Sequence, residues 1–486
     1  MNFDEYGRLD ALGMAGLVGS GDVTPEELLN LARQRLDSVN PTLNAVIADV
    51  PPTPGGNGRF HGVPFLLKDI FHHVRGLPTS CGSRAFAAIP ADHDSTFVQR
   101  CRAAGLVVFG KTNLPELGLK AVSENDLHGA TRNPWNTALT PGGSSGGAAA
   151  AVAAGVVPMA AANDGGGSIR IPAAYCGLFG LKPSRGRVPP GPSVAEVWEG
   201  ACSDHVITRT VRDSAAMLDA LHGADAGAPF DIPPPERPYL DECSREPGRL
   251  RIAYSVHSPI DRPVHPDHAG AVERTAVLLQ GLGHEVEEAA PAIDGMELAR
   301  CYLMLYFGQV AAMVRGRSVR GFELDTRALA MLGRALDSGA YVRAHARWNT
   351  FSRAMGAFLS RYDLYLTPTT ATPPAQIGAL QTPWLERLAL RPLLWLRAGR
   401  LLLHSGMVEK LALRSLERTP FTQLANLTGL PAMSVPLFLS GEGLPVGSHF
   451  TAPFGREDQL FRLAAQLEGA NPWGQRLPRF DIIRRR

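Results

Sequence analysis

The chain has 486 residues, 45% hydrophobic and 19% charged, and a formal charge of +2 from 48 basic and 46 acidic side chains. That balance gives no global electrostatic reason to bind nucleic acid, and the apolar content suffices for a large core without a metal or disulfide staple. Six scattered cysteines without a C-x-x-C pair fit a reducing compartment, and the acidic start Met1-Asn2-Phe3-Asp4-Glu5 lacks the apolar run of a signal peptide, so a cytoplasmic protein is expected.

In chain order, Thr24-Pro25-Glu26-Glu27 opens a helix: Thr24 can cap, Pro25 suits the first turn, and Glu27 completes a capping box. Leu28, Leu29, Leu31, Ala32, Leu36 and Val39 supply its apolar face. From Phe60 to about Pro190, short apolar runs such as Val63 to Leu67 and Leu106 to Gly110 alternate with glycine-rich turns and helical stretches, which reads as α/β. The run from Ala148 to Ala162 is interrupted by Pro158 and is shorter than the roughly 20 residues of a membrane span, so a buried helix and its exit are expected. Strands are expected at Leu250 to Tyr254, His284 to Glu288 and Asp363 to Leu366, and a helix at Asp267 to Leu282. The proline-rich Asp231 to Pro235 reads as a surface loop, and with no repeat or clean linker the chain is expected to be one domain over 1–486. From Trp384 to Arg418 leucines mix with arginines, and Pro392 is expected to break or kink the run. Packed helices, an apolar lid over a pocket and a membrane-surface patch all remain open for it. Arg484-Arg485-Arg486 reads as a solvated basic end.

Two glycine-serine loops stand out: Pro141 to Gly147, and Asn163-Asp164-Gly165-Gly166-Gly167-Ser168-Ile169-Arg170. Three glycines ahead of a serine permit a turn that aims several N–H groups at one point, the geometry of an oxyanion hole beside a nucleophile. Asp164 and Arg170 can pin that loop from both sides. The serine needs a base, and neither loop contains histidine. Lys68 follows the apolar Phe65-Leu66-Leu67, where burial can remove its charge and let a neutral amine accept a hydroxyl proton through a relay serine. On these residues alone an ordinary Lys68–Asp69 ion pair remains open. Phosphate-loop patterns fail, and Gly142-Gly143-Ser144-Ser145-Gly146 fits a nucleophile elbow poorly because no apolar strand precedes it. The close histidines, His72-His73 and His265-Pro266-Asp267-His268, lack a third ligand; the second group reads as surface, at a helix start. Cys176 reads as a packed side chain.

These loops closely resemble the amidase signature family. The likeness runs from Lys68-Asp69 through Gly110 to Asn113, Thr131 to Trp135, both serine loops, Pro172, Cys176-Gly177, Gly180 to Pro183 and Gly186-Arg187, then from Phe421-Thr422 through Gly429 to Ala432 and Gly455 to Glu457. It covers most of the chain and is weakest between about residues 190 and 415. It implies the family's large, mixed, twisted sheet with helices on both faces, and a Ser–cis-Ser–Lys triad. Family spacing of 24 residues between bridge and nucleophile falls on Ser144 and Ser168, with Lys68 as base. By the same likeness Gly165, Gly166, Gly167 and Ser168 supply oxyanion donors, Asp164 and Arg170 support the loop, and Ser145 adds a hydroxyl. The implied reaction is hydrolysis of a small-molecule amide through an acyl-enzyme, with no metal or organic cofactor, no nucleic acid, no stable membrane insertion and room for a homodimer. The Asn163-Asp164 form, with Gly129 to Asn136 and Pro190-Gly191-Pro192, is similar to 6-aminohexanoate cyclic dimer hydrolases and points toward alkyl or cyclic amides. A second reading is the amidase-like subunit of a tRNA-dependent amidotransferase, which releases ammonia from glutamine for a partner; a free-standing amidase needs neither tRNA nor ATP.

Overall fold

The computed structural model describes residues 1–478 apart from 2, 54 and 405; the Arg484-Arg485-Arg486 end lies outside the described residues. The strands are β1 Val46–Asp49, β2 Pro64–Lys68, β3 Val107–Thr112, β4 Glu124–Asn125, β5 Gly129–Ala130, β6 Met159–Asp164, β7 Phe179–Lys182, β8 Ser203–Thr208, β9 Arg251–Tyr254, β10 Glu285–Glu288, β11 Leu364–Pro368, β12 Ala432–Leu439 and β13 Pro445–Thr451. Eleven of these form one sheet in the order β1-β3-β2-β6-β8-β7-β12-β13-β11-β9-β10, and β4 pairs with β5. The sheet is mixed. β2 runs parallel to β3 and β6, and β9 runs parallel to β10 and β11. The central pairs from β6 through β8, β7, β12 and β13 to β11 are antiparallel.

Every residue of β2, β3, β6, β7, β8 and β13 is buried, so both faces of the sheet are covered. That is why β2 and β3 are continuous apolar runs and not alternating ones. Edge strand β10 is mostly exposed and carries Glu285, Glu287 and Glu288, charges that discourage edge-to-edge pairing.

The helices used below are α1 Pro25–Leu43, α2 Gly146–Ala153, α3 Arg170–Cys176, α4 Gly295–Met313, α5 Leu324–Ala335, α6 Trp384–Trp395, α7 Gly399–His404, α8 Met407–Leu416 and α9 Gln423–Thr428. The expected capping box opens α1: Thr24 accepts from the Glu27 N–H, and Glu27 accepts from the Thr24 N–H at 2.8 Å. Leu28, Ala32, Leu36, Val39 and Leu43 form its buried stripe. The alanine-rich run is α2, wholly buried against β2, β3, β6 and β8, and its exit becomes β6. Small side chains let α2 lie that close: a Cβ on Gly147 would stand 2.5 Å from the Asn113 nitrogen.

Of the break or kink expected at Pro392 there is no break, because α6 runs through it to Trp395. One local expectation is corrected. His268 is buried instead of surface-exposed, and its Nδ1–H donates to the Thr370 carbonyl at 2.8 Å. The helix it opens packs on β11 and β13, which covers the ring. The inner face of α8 packs on the body: Val408, Ala412 and Leu416 are buried with Leu303 and Phe307 of α4.

Candidate active site

Lys68 closes β2 and is fully buried. Its Nζ lies 2.8 Å from Ser144 Oγ and 2.6 Å from Asn163 Oδ1. Asp69 turns away: its carboxylate meets Lys111 Nζ at 3.3 Å and accepts from the Ser80 N–H at 3.0 Å. Lys68 is therefore not the aspartate's ion-pair partner. Burial, resisted by the carboxylates of Asp204 and Asp164, brings its pKa down to about 7. A neutral amine has two N–H bonds and one lone pair. With one N–H on Asn163, the lone pair can face the Ser144 hydroxyl proton.

Ser144 lies in the turn that leads into α2, and the Gly143–Ser144 peptide is cis. Ser123 holds this turn: its Oγ donates to the Gly142 carbonyl and accepts from the Gly146 N–H, both at 3.0 Å. Ser145 joins the two loops. Its N–H donates to the Ser168 carbonyl at 3.3 Å, and its Oγ donates to the Asn163 carbonyl at 3.3 Å. The Ser168 side chain is half-buried and its hydroxyl makes no hydrogen bond among the described residues, to Ser144 or elsewhere.

The second loop spans from the end of β6 to the start of α3. Asp164 organises it. Its carboxylate accepts from the Gly167 N–H at 2.6 Å and the Ile169 N–H at 3.1 Å, and takes Arg170 in a two-pronged pair at 2.9 Å on each oxygen. Burial alone would raise the Asp164 pKa, but Arg170 and Asn426 outweigh it and hold the carboxyl well below the usual range. This corrects one expectation: the Gly167 N–H is committed to Asp164 and is not a free oxyanion donor. Among the described residues the N–H groups of Gly165, Gly166 and Ser168 have no protein acceptor.

The glycines are needed here for space as well as for conformation. A Cβ on Gly166 would stand 1.8 Å from the Tyr302 hydroxyl. Gly167 has φ +125°, and a Cβ there would lie 2.4 Å from Thr422 Oγ1. Tyr302 on α4 pairs with Tyr306 at 4.9 Å, and Tyr306 meets Trp198 edge-on at 4.8 Å, so an aromatic wall backs the loop.

Sequence reasoning missed the clamp from the far end of the chain. The Gly166 carbonyl accepts from Thr422 Oγ1 at 2.6 Å and Gln423 Nε2 at 3.0 Å. Arg170 Nη1 donates to the Thr422 carbonyl and to His449 Nε2, each at 2.9 Å, and Nη2 donates to Asn426 Oδ1 at 2.7 Å. His449 must accept there, which leaves its proton on Nδ1, facing Thr367 Oγ1 at 3.1 Å. Burial and then Arg170 press its pKa well below the imidazole range. Asn163 enters the sequence reading only through the Asn163-Asp164 form and is given no role there. The remaining partners sit more than 250 residues downstream of Arg170, with only the Phe421-Thr422 text as a signal.

Known proteins share this arrangement's frame. The family model described as Amidase matches residues 29–461. The 6-aminohexanoate-cyclic-dimer hydrolase of Pseudomonas sp. (strain NK87) is 37% identical over 498 residues, covering 96% of both chains. The putative amidase AmiC of Mycobacterium leprae (strain TN) is 37% identical, covering 97% of both. A solved structure of 6-aminohexanoate cyclic dimer hydrolase complexed with substrate superposes with a TM-score of 0.88 at 34% identity, covering 98% of this chain and 99% of that one. With the match running nearly end to end, this chain belongs to the amidase signature family and is a hydrolase of amide bonds.

Proposed function

We propose that Ser168 is the nucleophile, Ser144 the relay and Lys68 the base of an amidase that works through an acyl-enzyme on small alkyl or cyclic amides. The observation that carries the triad is the 2.8 Å contact between Ser144 Oγ and a lysine held at about 7. Neutral Lys68 takes a proton from Ser144 as Ser144 takes one from Ser168, and Ser168 Oγ bonds to the amide carbon. The oxyanion accepts from the N–H groups of Gly165, Gly166 and Ser168. On collapse the ammonium of Lys68 returns its proton through Ser144 to the leaving nitrogen, which departs as a neutral amine. Water then repeats the cycle on the ester and leaves carboxylic acid and neutral Lys68. The scheme draws on no metal or cofactor.

Support for a cyclic substrate comes from the relatives named as 6-aminohexanoate cyclic dimer hydrolases. In a cyclic amide the departing amine stays tethered to the acyl group, so water must outcompete religation. The amidotransferase-subunit reading is not favoured by those relatives. The test is intact mass after a fluorophosphonate reagent on wild type and Ser168→Ala, with release of primary amine from 6-aminohexanoate cyclic dimer measured without tRNA or ATP. One adduct, on Ser168 and absent from the variant, with amine release by wild type, supports the proposal. An adduct on Ser144 refutes the assigned order. Amine release only with a partner present refutes the free-standing enzyme.

A further inference from the structure

Six large apolar side chains stand in solvent between Trp384 and Leu401: Trp384 at 68% exposure, Leu385, Leu388, Trp395 at 82%, Leu396 and Leu401. On α6, Trp384, Leu388, Arg391 and Trp395 follow spacings of four, three and four residues, which line one stripe of a helix. Arg391 within it and Arg387 and Arg397 beside it are exposed. Among the described residues, Arg391 and Arg397 have no carboxylate at ion-pair distance, whereas Arg414 on α8 pairs with Glu386 at 2.7 Å. The inner faces of these helices are already used, since α6 and α7 pack on α5 and α8 packs on α4. The outer apolar face is thus not awaiting burial within its own chain.

We propose that this outer face binds the surface of an anionic lipid bilayer. Indole and leucine side chains on one side of a short helix suit the boundary between headgroups and acyl chains. Arginines flanking them snorkel to lipid phosphates, which they can hold through two N–H donors. The charge on the face selects the occupant. A second copy of the chain, docked face to face, would set two surfaces with the same unpaired arginines against each other, whereas an anionic surface neutralises both. The attachment is peripheral: α6 has 12 residues, and no helix among the described residues is long and apolar enough to cross a membrane. This inference is independent of the assigned triad.

The test is flotation of the full chain with vesicles of phosphatidylglycerol mixed equally with phosphatidylcholine, against vesicles of phosphatidylcholine alone, at low and high sodium chloride. The variants are Trp384→Ser with Trp395→Ser, and Arg391→Gln with Arg397→Gln. All four side chains are exposed, so the fold should survive, and amide hydrolysis in lipid-free buffer checks that it does. Wild type is expected to float with the anionic vesicles and to release with salt. The arginine pair should weaken partition by about 25-fold, near fivefold for each charge, and the tryptophan pair by about tenfold or more. No flotation overturns the proposal, as does equal flotation with both vesicle types or binding that ignores both variant pairs. A dimer that the tryptophan pair dissociates, without vesicle binding, also overturns it and assigns the face to a second copy.

Discussion

Replacing Asn163 with aspartate would put a carboxylate where an amide oxygen now lies 2.6 Å from Lys68 Nζ. At that separation, with an effective dielectric of about 20, the attraction to a lysine ammonium is about 6 kcal/mol, enough to move the Lys68 titration by about four pH units if unopposed. Opposition comes from burying the new charge, because Asn163 is only 4% exposed. About half of the gain should survive, taking Lys68 from about 7 to about 9. The sign follows from the role of the base: stabilising the ammonium removes the neutral amine. In wild type, kcat/KM should rise about tenfold from about pH 6 to about pH 8 and then level. In Asn163→Asp the neutral fraction at pH 7 falls from about one half to about one hundredth, so kcat/KM drops about 50-fold and returns by about pH 10. The assay is initial-rate amide hydrolysis across pH at constant ionic strength, with a solvent isotope effect to show that proton transfer limits the rate. If the acid limb of Asn163→Asp stays within half a pH unit of wild type, or wild type shows no limb near neutrality, Lys68 is not the base.

Lys68→Met should abolish activity yet stabilise the fold. The open chain holds that proton up to its ordinary 10.5 and the fold only to about 7, so stability rises with pH across that window. Keeping the lysine costs about 4 kcal/mol at pH 7, stranding Asn163 returns about half, and urea unfolding should show a gain of about 2 kcal/mol. Arg170→Met leaves the fully buried Asp164 carboxylate uncompensated and should cost about 3–5 kcal/mol in the same experiment; a loss under about 1 kcal/mol would contradict the pairing described. Gly166→Ala drives a methyl into the Tyr302 hydroxyl, and kcat/KM should fall about 100-fold. Tyr302→Ala in the same chain should return part of it, a coupling of about 1 kcal/mol or more, and strict additivity would mean the two residues do not meet.

Much of the site was legible because its parts are local. Each serine loop is one contiguous glycine-rich stretch, and Lys68 ends a run of apolar residues whose burial follows from composition. What the sequence withheld depends on register and on distant partners. Asp69 pairs with Lys111 because β2 and β3 run parallel with Leu67 opposite Lys111, and no local pattern announces that pairing. The Gly167 N–H was read as free although Asp164, three residues earlier, is well placed to capture it; the local side chain won over the generic loop. Periodicity marks Trp384 to Arg418 as helical. It cannot say which face is covered, because the covering helices α4 and α5 lie far upstream. His268 misled for the same reason: its chain position marks a helix start, and its burial is decided by β11 and β13.

The clamp on the glycine loop has a consequence for biosynthesis. Lys68, Ser144 and Ser168 are made well before Thr422, Asn426 and His449, and β12 and β13 insert between β7 and β11 in the middle of the sheet. Arg170 waits 279 residues for His449, about 15 to 55 s at bacterial-to-eukaryotic translation speeds. Throughout that interval the nascent chain carries the glycine loop without its clamp. The glycine loop thus reaches its final hydrogen-bonded shape only after β13 has been made.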